Sequence, residues 1–347
     1  MAKLTFAIND DAAQNDAGNA TTLTDATVVM GTSIANITWA GYRIINVAIP
    51  NGATIRHAYL KVNWASISTS AVEADVYGEA SDNAAVFTTD VNNISARTST
   101  TATVDGNTVA IIHDLADGFR FYDVTAIVQE IVNRAGWVSG NAIVFIVKAI
   151  SGSTIATISF TESADVPKVG IIYADSANSV CSPTVSGTGS YTNPNNAFAS
   201  DNVYATTANL VSAQQIYESF GITGLTGGTI DGILVKVEAK VSSTTDRSEY
   251  TIELSWDGGT TWTTLKRAFQ VETADYTHSY GGADAWSRTF VPSELTNVNF
   301  KVRISNDFAG ATNDASVDWV NVQVFYSSPS FRVNKLRPAI FSPGHAR

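Results

Sequence analysis

The sequence has little of what usually points to a specific chemistry. It has one cysteine, Cys181, and two methionines among 347 residues. A single cysteine excludes both an internal disulfide framework and a zinc site built from cysteines. No apolar run approaches the roughly 18 residues of a membrane-spanning helix, so we expect no membrane insertion.

Charged residues are also scarce, at 15 % of the chain, and their balance is acidic. The formal net charge is -11, from 32 acidic and 21 basic residues. A protein whose surface binds nucleic acid carries the opposite sign, so this class of function is excluded. Ala, Thr, Ser, Asn and Val are abundant instead. This composition is typical of β-sandwiches with Thr- and Asn-rich surfaces.

The N-terminal sequence MAKLTFAINDDAAQ has neither the apolar core nor the cleavage site of a secretion signal. We therefore expect the protein to be made in a host cytoplasm. If it works outside a cell, it leaves by another route, such as inside a released particle.

Short segments rich in β-branched and aromatic residues recur with turn residues between them, as in RHAYLKVNW, NAIVFIVKAI and YTIELSWD. The segment DVTAIVQEIVNRAGW has helical spacing instead, with apolar residues at Val124, Ile127, Val128, Ile131 and Val132. We expect Asp123 as its N-cap and Gly136 as its C-cap. One short helix among many strands predicts an all-β chain.

The sequence also resembles itself. GATIRHAYLKV and GTIDGILVKV match in the spacing of their apolar residues, and each half ends on a strand with a terminal tyrosine, Tyr173 or Tyr326. A duplicated unit explains this similarity, and chance similarity between valine-rich strands is the alternative. We predict two tandem jelly-roll-like β-sandwiches, over 1–175 and 176–328, and an extended C-terminal tail over 329–347.

The C-terminal sequence SSPSFRVNKLRPAIFSPGHAR holds three prolines and no acidic residue. Proline favours extended backbone and removes hydrogen-bond donors, so the segment is predicted to be neither a helix nor a central strand. A basic, extended segment with spaced apolar residues suits docking across a partner surface, and a frayed terminus is the alternative. The residues expected to dock are Phe331, Arg332, Lys335, Arg337, Ile340, Phe341 and Arg347.

The sequence LSWDGGTTWTTLKR contains the S-x-D-x-G-x-T-W pattern of an Asp-box at Ser255, Asp257, Gly259, Thr261 and Trp262. In this hairpin the aspartate accepts backbone N–H bonds, glycine supplies positive φ, and tryptophan packs beneath the turn. Sialidases and related propellers repeat the box once per blade and take their catalytic groups from elsewhere. One box in a half of this size predicts a turn, not a sugar-cleaving propeller.

No local pattern indicates catalysis. The sequence contains no G-x-S-x-G, H-E-x-x-H or Walker motif, and its four histidines lack ligand spacing. A glycosidase would need two opposed carboxylates, and a pair assembled in space stays open. The acidic residues considered for it are Asp201, Glu218, Asp231, Asp284 and Glu294. We expect a protein that is not an enzyme.

Two kinds of ligand stay open as alternatives. The Asp-rich loops NDDAAQND and NDFAGATNDASVD offer oxygen ligands for Ca²⁺, and Asp and Asn are also ordinary loop formers. Exposed tryptophans of the second half would stack sugar rings, and core tryptophans are the alternative. The candidate glycan platform is Trp256, Trp262 and Trp286. No other cofactor or metal site is expected.

The first half resembles the DNRLRE-type sandwich, a family that includes carbohydrate-binding modules. The resemblance rests on VAIPNGATIRHAYLKV and on RFYDVTAIVQEIVNRAGWVSGNAIVFIV, and it covers most of residues 40–150. It implies a β-sandwich, and it carries no sugar-binding residue across by motif.

The second half resembles a β-sandwich that recurs in structural proteins of tailed bacteriophages. The resemblance rests on NPNNAFASDNVYAT, GTIDGILVKVEAK, LSWDGGTTWT, GGADAW and VDWVNVQVFY, and it spans nearly all of residues 180–327. The ending LRPAIFSPGHAR also resembles C-terminal peptides of phage particle proteins. The resemblance implies a virion component, such as a head decoration, a fibre or a tail-associated protein, and it implies no catalysis.

The residues and the resemblance lead to one expectation: a non-enzymatic virion structural protein of a tailed phage. Its C-terminal tail is expected to dock onto capsid, neck or tail subunits. The protein is expected in many copies on the particle or as a homo-oligomer. The alternative is a carbohydrate-binding module or adhesin that recognises a host-surface glycan.

Overall fold

The computed structural model describes residues 2–15, 20–23, 25, 27–30, 37–67, 73–105, 119–151, 156–160, 166–173, 178–207, 213–225, 228–242, 248–270, 273–283, 286–308 and 314–327. Within these ranges the chain is built from strands, with one α-helix and two short 3₁₀ turns. The all-β class predicted from the sequence is therefore confirmed. In the same ranges, no helix is both long and apolar enough to cross a lipid bilayer. The predicted tail over 329–347 lies outside the described residues.

The strands of the first half form one 12-stranded sheet that folds over a shared core. Its order is β1-β12-β6-β11-β4-β5-β10-β7-β8, with β9 beside β6, β2 beside β5, and β3 beside β2. The helix α1 packs against β6, β7 and β8. The elements are β1 (Ala2–Ala7), β2 (Asp10–Asn15), β3 (Thr21–Thr22), β4 (Thr27–Met30), β5 (Ile37–Ile44), β6 (Ile55–Ile67), β7 (Glu73–Glu79), β8 (Ser99–Val104), β9 (Phe119–Asp123), α1 (Thr125–Val132), β10 (Ile143–Ser151), β11 (Ala156–Ser159) and β12 (Lys168–Tyr173).

The strands of the second half form two five-stranded sheets that enclose a second core. One sheet has the order β13-β22-β17-β20 with β15 beside β22, and the other has the order β14-β16-β21-β18-β19. The strands are β13 (Asn178–Cys181), β14 (Val185–Gly189), β15 (Ala205–Thr207), β16 (Ala213–Glu218), β17 (Thr229–Val241), β18 (Ser248–Ser255), β19 (Lys266–Gln270), β20 (Tyr276–Gly282), β21 (Lys301–Phe308) and β22 (Ala315–Ser327). Among the described strands, those up to Tyr173 pair only with one another, as do those from Asn178 onward.

Strand β17 shows how the sequence pattern sets the second core. Val235 and Val237 are fully buried, and the intervening Lys236 and Glu238 keep partial exposure on the outer face. Burying a valine side chain stabilises the fold by about 1.5–3 kcal/mol. A one-residue slip would turn this face to water, so the alternation fixes the register of the strand.

The strands β6 and β17 occupy equivalent places in the two halves. β6 pairs antiparallel with β12 and β9, and β17 pairs antiparallel with β22 and β20. Ile55 pairs with Tyr173 in the first half, and Ile230 pairs with Tyr326 in the second. The matching spacing found in the sequence therefore corresponds to a matching strand register.

We call β12-β6-β9 the first framework and β22-β17-β20 the second framework. Both frameworks contain a β-bulge at the same position. One extra residue bulges out after the tyrosine pair of each long strand, Arg56 in β6 and Asp231 in β17. On the opposite edge of each long strand, Leu60 of β6 pairs with the buried Tyr122 of β9, and Val235 of β17 pairs with the buried Tyr280 of β20. A bulge at the same position in both frameworks favours duplication over chance similarity.

The two frameworks pack against each other through their outer faces. A buried apolar cluster joins the halves and consists of Tyr59, Ile172, Leu234, Ala283 and Phe325. This cluster, together with His57 and the glycines beside it, is called the joint below. It places β6 and β12 of the first half against β17 and β22 of the second.

The joint has approximate two-fold symmetry. The ring of His57 in β6 stacks on Phe325 in β22, with ring centroids 6.1 Å apart. Gly232 in β17, the equivalent of His57, approaches Ile172 in β12, the equivalent of Phe325; a Cβ there would lie 3.1 Å from Ile172 Cδ1. Reciprocal contacts between equivalent positions are the pattern of an isologous dimer interface, formed here within one chain.

A directional hydrogen bond adds to the apolar contacts of the joint. The backbone N–H of Ala283 donates to Nδ1 of the buried His57 at 3.0 Å. The preceding Gly282 has φ +76°, and a Cβ at that position would lie 2.4 Å from the imidazole. The turn therefore needs glycine both for its left-handed backbone and for its close approach to His57.

The helix lies where the spacing predicts it, but its caps differ. Its N-cap is Val124, and Asp123 accepts the N–H of Thr125 at 3.0 Å from one position earlier. Its C-cap is Asn133. Gly136 was wrongly predicted as the C-cap; it lies where a Cβ would meet the Asp82 carboxylate at 2.0 Å.

Candidate binding groove

A groove of about 420 Å³ lies on the second sandwich. β15 and β17 both pair with β22, so Thr206, Ser316 and Lys240 lie side by side across three strands. Lys240 follows Leu234 of the joint by six positions on the same outer face, a distance of about 20 Å along a strand. The lining residues are Thr206, Thr207, Lys240, Val241, Ser242, Thr273, Asp314 and Ser316.

Three charged or aromatic side chains are held together beside the groove. The Nζ atom of Lys240 lies 3.7 Å from the ring centroid of Tyr204 and 3.9 Å from Oδ1 of Asp275. The Tyr204 hydroxyl donates to Oδ2 of Asp275 at 2.7 Å. The hydrogen bond with Lys240 lowers the pKa of Tyr204, but desolvation and Asp275 together raise it by more, so the pKa is raised overall. The hydroxyl therefore stays protonated and remains a donor at neutral pH.

A buried carboxylate holds the segment before Tyr204 in place through a hydrogen bond. Asp318 of β22 is 1 % exposed, and its Oδ1 accepts the N–H of Val203 at 3.1 Å. Asp201 accepts the same N–H at 3.1 Å from within the segment. Asp201, one of the acidic residues considered for catalysis, therefore shapes the turn before Tyr204.

The three tryptophans considered as a glycan platform lie in different surroundings. Trp286 is only 1 % exposed, and its Nε1–H donates to the carbonyl of Ile233 at 2.7 Å, so it was wrongly placed on a binding surface. The guanidinium of Arg288 lies 3.6 Å from the ring of Trp256, and that of Arg303 lies 4.2 Å from the ring of Trp262. Each of these two rings therefore has one face covered by a guanidinium group.

The Asp-box forms the predicted hairpin turn between β18 and β19. Oδ1 of Asp257 accepts the N–H groups of Thr261 at 2.8 Å and of Thr260 at 3.1 Å. The backbone hydrogen bond from Thr261 is the largest cause that lowers the pKa of Asp257. Gly259 has φ +97°, and Trp262 donates to its carbonyl at 3.1 Å. The contacts of the box serve the turn itself.

Two of the acidic residues considered for a glycosidase pair are engaged in ion pairs. Glu218 pairs with Lys301 across β16 and β21. Glu294 pairs with Arg288 at 2.8 Å, at the end of the second sandwich. Both carboxylates therefore neutralise neighbouring cations.

Two others differ in their surroundings. Asp231 lies at the bulge of β17, where desolvation raises its pKa. Asp284 lies outside the described residues. The structure thus places Asp201, Glu218, Asp231 and Glu294 in separate local contacts.

The Asp-rich segments predicted to be loops are largely strand. Residues 10–15 form β2 and pair with β5, where Asp10 forms an ion pair with Arg43. Residues 306–308 end β21, and residues 315–318 begin β22. In the part of the chain that the structure describes, no group of three or more His, Cys, Asp or Glu side chains is placed to hold a metal ion.

The docking residues proposed for the tail, from Phe331 to Arg347, lie outside the described residues. The groove residues Tyr204, Lys240 and Asp275 were missed by the sequence analysis. Lys240 occupies an ordinary polar position of an alternating strand, and no local spacing connects it to residues 36 positions before or 35 positions after it. The contact between His57 and Ala283 was missed for the same reason.

Comparison with known proteins gives no family. No family model matches the chain, and no curated protein matches it. Among solved structures, allantoicase from Saccharomyces cerevisiae is 8 % identical with a TM-score of 0.26, covering 85 % of this chain and 80 % of its own. The CBM22-1–CBM22-2 tandem domain of Xyn10C from Paenibacillus barcinonensis is 9 % identical with a TM-score of 0.23, covering 94 % of this chain and 100 % of its own. A chain in the structure of Broad Bean Stain Virus is 11 % identical with a TM-score of 0.22, and the match covers 88 % of this chain and 94 % of the viral chain. Likenesses of this degree say nothing about function.

Proposed function

We propose that the protein is a non-enzymatic structural component of a tailed-phage particle. The observation that carries the proposal is the joint, which unites the two sandwiches through buried side chains. His57, Leu234 and Phe325 are each at most 4 % exposed there. A buried contact of this kind favours one fixed arrangement of the two sandwiches, which suits a building block of a particle.

The motifs behind the phage resemblance belong to this framework. GTIDGILVKVEAK and VDWVNVQVFY form the paired strands β17 and β22. GGADAW supplies Gly282 and Ala283 to the joint, and LSWDGGTTWT forms the Asp-box turn. Most of the residues that carry the resemblance therefore lie in the paired strands, the joint and the Asp-box turn, which supports a structural function.

The proposed attachment element is the C-terminal tail over 329–347. Its basic residues would meet acidic groups of a capsid, neck or tail subunit, and its apolar residues would fill pockets between them. Many copies on a symmetric particle would add avidity to a modest single contact. The acidic sandwiches would project outward, and no nucleic acid or membrane takes part in this assignment.

The test is co-sedimentation with particles that lack this protein. The full-length chain is compared with a 1–328 truncation and with a chain whose tail is replaced by a Gly-Ser segment of equal length. A triple charge reversal, Arg332→Glu, Lys335→Glu and Arg337→Glu, tests the charge of the tail at constant length. We expect only the full-length protein to pellet with the particles.

Two outcomes count against parts of this proposal. Equal pelleting of the full-length and truncated chains would move the attachment from the tail to a sandwich face. Failure of all forms to pellet would remove the virion assignment.

A second candidate function is recognition of a host-surface glycan. The specific observation in its favour is the groove beside Tyr204 and Lys240, which is distinct from the tryptophans first considered. Particle proteins can have both functions, because attachment to the particle and binding of a sugar use different surfaces.

A further inference from the structure

Five of the eight residues that line the groove carry a hydroxyl group, and the lining also presents apolar surface. Thr206, Ser242, Thr273 and Ser316 each carry a hydroxyl that both donates and accepts hydrogen bonds. Its volume of about 420 Å³ is within the range of small-molecule sites. A ligand that combines hydroxyl groups with apolar C–H surface matches this lining, because the hydroxyl groups of the groove can donate or accept and its apolar surface can pack against the C–H groups.

The side chain of Lys240 is positioned by its neighbours before a ligand binds. Its ammonium lies on the ring of Tyr204, and Asp275 contacts both side chains. Asp318 in turn fixes the turn before Tyr204. A polar group that is positioned before the ligand arrives loses less conformational freedom on binding.

The charge of the groove selects against anionic ligands. Asp275 balances the charge of Lys240, and Asp314 adds a further carboxylate to the lining. The whole chain carries a net charge of -11, which repels anions at longer range. A neutral ligand is therefore favoured over a sialylated, sulfated or phosphorylated one.

We propose that this groove binds a neutral saccharide, with Lys240, Ser316 and Asp314 hydrogen-bonding its ring hydroxyls. The inference rests on the second candidate function and is independent of attachment through the tail. The partner chemistry is that of the uncharged sugars of a cell-surface polysaccharide.

The experiment is binding of the fluorescently labelled full-length protein to an array of immobilised neutral, sialylated and sulfated oligosaccharides. We expect binding to a subset of the neutral glycans. The affinity for the best of them is then measured by calorimetry for the wild-type protein and for two variants, Lys240→Met and Ser316→Ala.

Lys236→Met is the matched control. Lys236 lies on the same outer face of the same strand, four positions before Lys240, and does not line the groove. Loss of one or two hydrogen bonds should weaken binding by about tenfold in Lys240→Met and by a smaller factor in Ser316→Ala. The control should bind like the wild type.

Three outcomes would overturn the inference. They are binding to acidic glycans alone, binding to no glycan at all, and equal affinities for Lys240→Met, Ser316→Ala and Lys236→Met. Ser316→Ala keeps the test decisive if Lys240→Met lowers the unfolding midpoint. Each outcome leaves the particle co-sedimentation result untouched, so failure of this inference is distinguishable from failure of the structural assignment.

Discussion

The frameworks β12-β6-β9 and β22-β17-β20 share register and bulge, yet they differ where they meet. His57 of the first corresponds to Gly232 of the second, so one framework has an imidazole ring where the other has no side chain and lies close to the Gly282 backbone. Phe325 corresponds to Ile172 and stacks on that ring. Two frameworks of matching register thus contact each other through equivalent positions that carry different side chains.

Their outer faces also differ beyond the joint. Strand β17 continues past Leu234 to Lys240, where the same face passes from a buried contact to the groove. The alternation of a strand decides which residues face outward. The neighbouring elements decide whether that outer face is buried or exposed.

The largest expected effect is removal of a large side chain from the joint. Phe325→Ala should lower the free energy of unfolding by about 3–5 kcal/mol, because it removes buried area and leaves a cavity. Ile172→Ala, at the equivalent position of the first half, should cost about 2–5 kcal/mol. Urea unfolding followed by tryptophan fluorescence measures both.

The control for these variants is Gln323→Ala, two positions from Phe325 on the same outer face. Gln323 keeps partial exposure, so its substitution should change stability by no more than about 0.5 kcal/mol. A loss below about 1 kcal/mol for Phe325→Ala would show that the joint is not closed.

The next effect tests the close approach in the joint. Gly282→Ala places a Cβ against His57 at positive φ and should cost about 2–4 kcal/mol, from backbone strain and overpacking together. Gly52→Ala is the matched control, because Gly52 has φ +69° and open space around its Cβ. It should cost only about 1–2 kcal/mol of strain. Similar losses for both variants would contradict the steric contribution of His57.

A pH-dependent effect distinguishes the core face of the second framework. His278 of β20 pairs with Val237, at the position that Arg120 holds in the first framework. Burial lowers the pKa of His278 to about 4, below its ordinary value of about 6.5. As the pH falls, His278 is therefore protonated at a higher pH in the unfolded chain than in the folded chain.

Stability contributed by neutral His278 is present above pH 6.5 and is lost as the pH falls from about 6.5 to about 4, by at most about 3 kcal/mol. Urea unfolding at pH 7.5 and pH 4.5 measures the loss. His278→Gln should show a smaller loss between these two conditions, since glutamine does not titrate. Parallel pH dependence in both proteins would exclude His278 as its source.

The smallest effect is expected at the Asp-box, which lies away from the joint. Asp257→Ala removes the acceptor of the Thr260 and Thr261 N–H groups, which then turn to water. The carboxylate is exposed, so the unfolding midpoint should fall less than in Gly282→Ala. Co-sedimentation and glycan binding should be unchanged in this variant. A loss of glycan binding would indicate that the box contributes to recognition.

Features with short sequence separation were predictable. The helix over Thr125–Val132 follows from the spacing of five apolar residues, and the Asp-box turn follows from hydrogen bonds that span at most four positions. The match between β6 and β17 was visible in the sequence, and the shared register and bulge, which favour duplication over chance, are seen only in the structure.

Features with long separation were not predictable. The sequence alone determined the all-β class, the helix and the Asp-box, because strand alternation, helical spacing and turn hydrogen bonds all act within short windows. Only the tertiary structure decided that Trp286 is buried, that His57 meets Ala283 from 226 positions away, and that Tyr204, Lys240 and Asp275 meet beside one groove. The physical reason is that such contacts depend on which sheet faces meet, and a single strand's pattern shows which residues face outward but not what covers them.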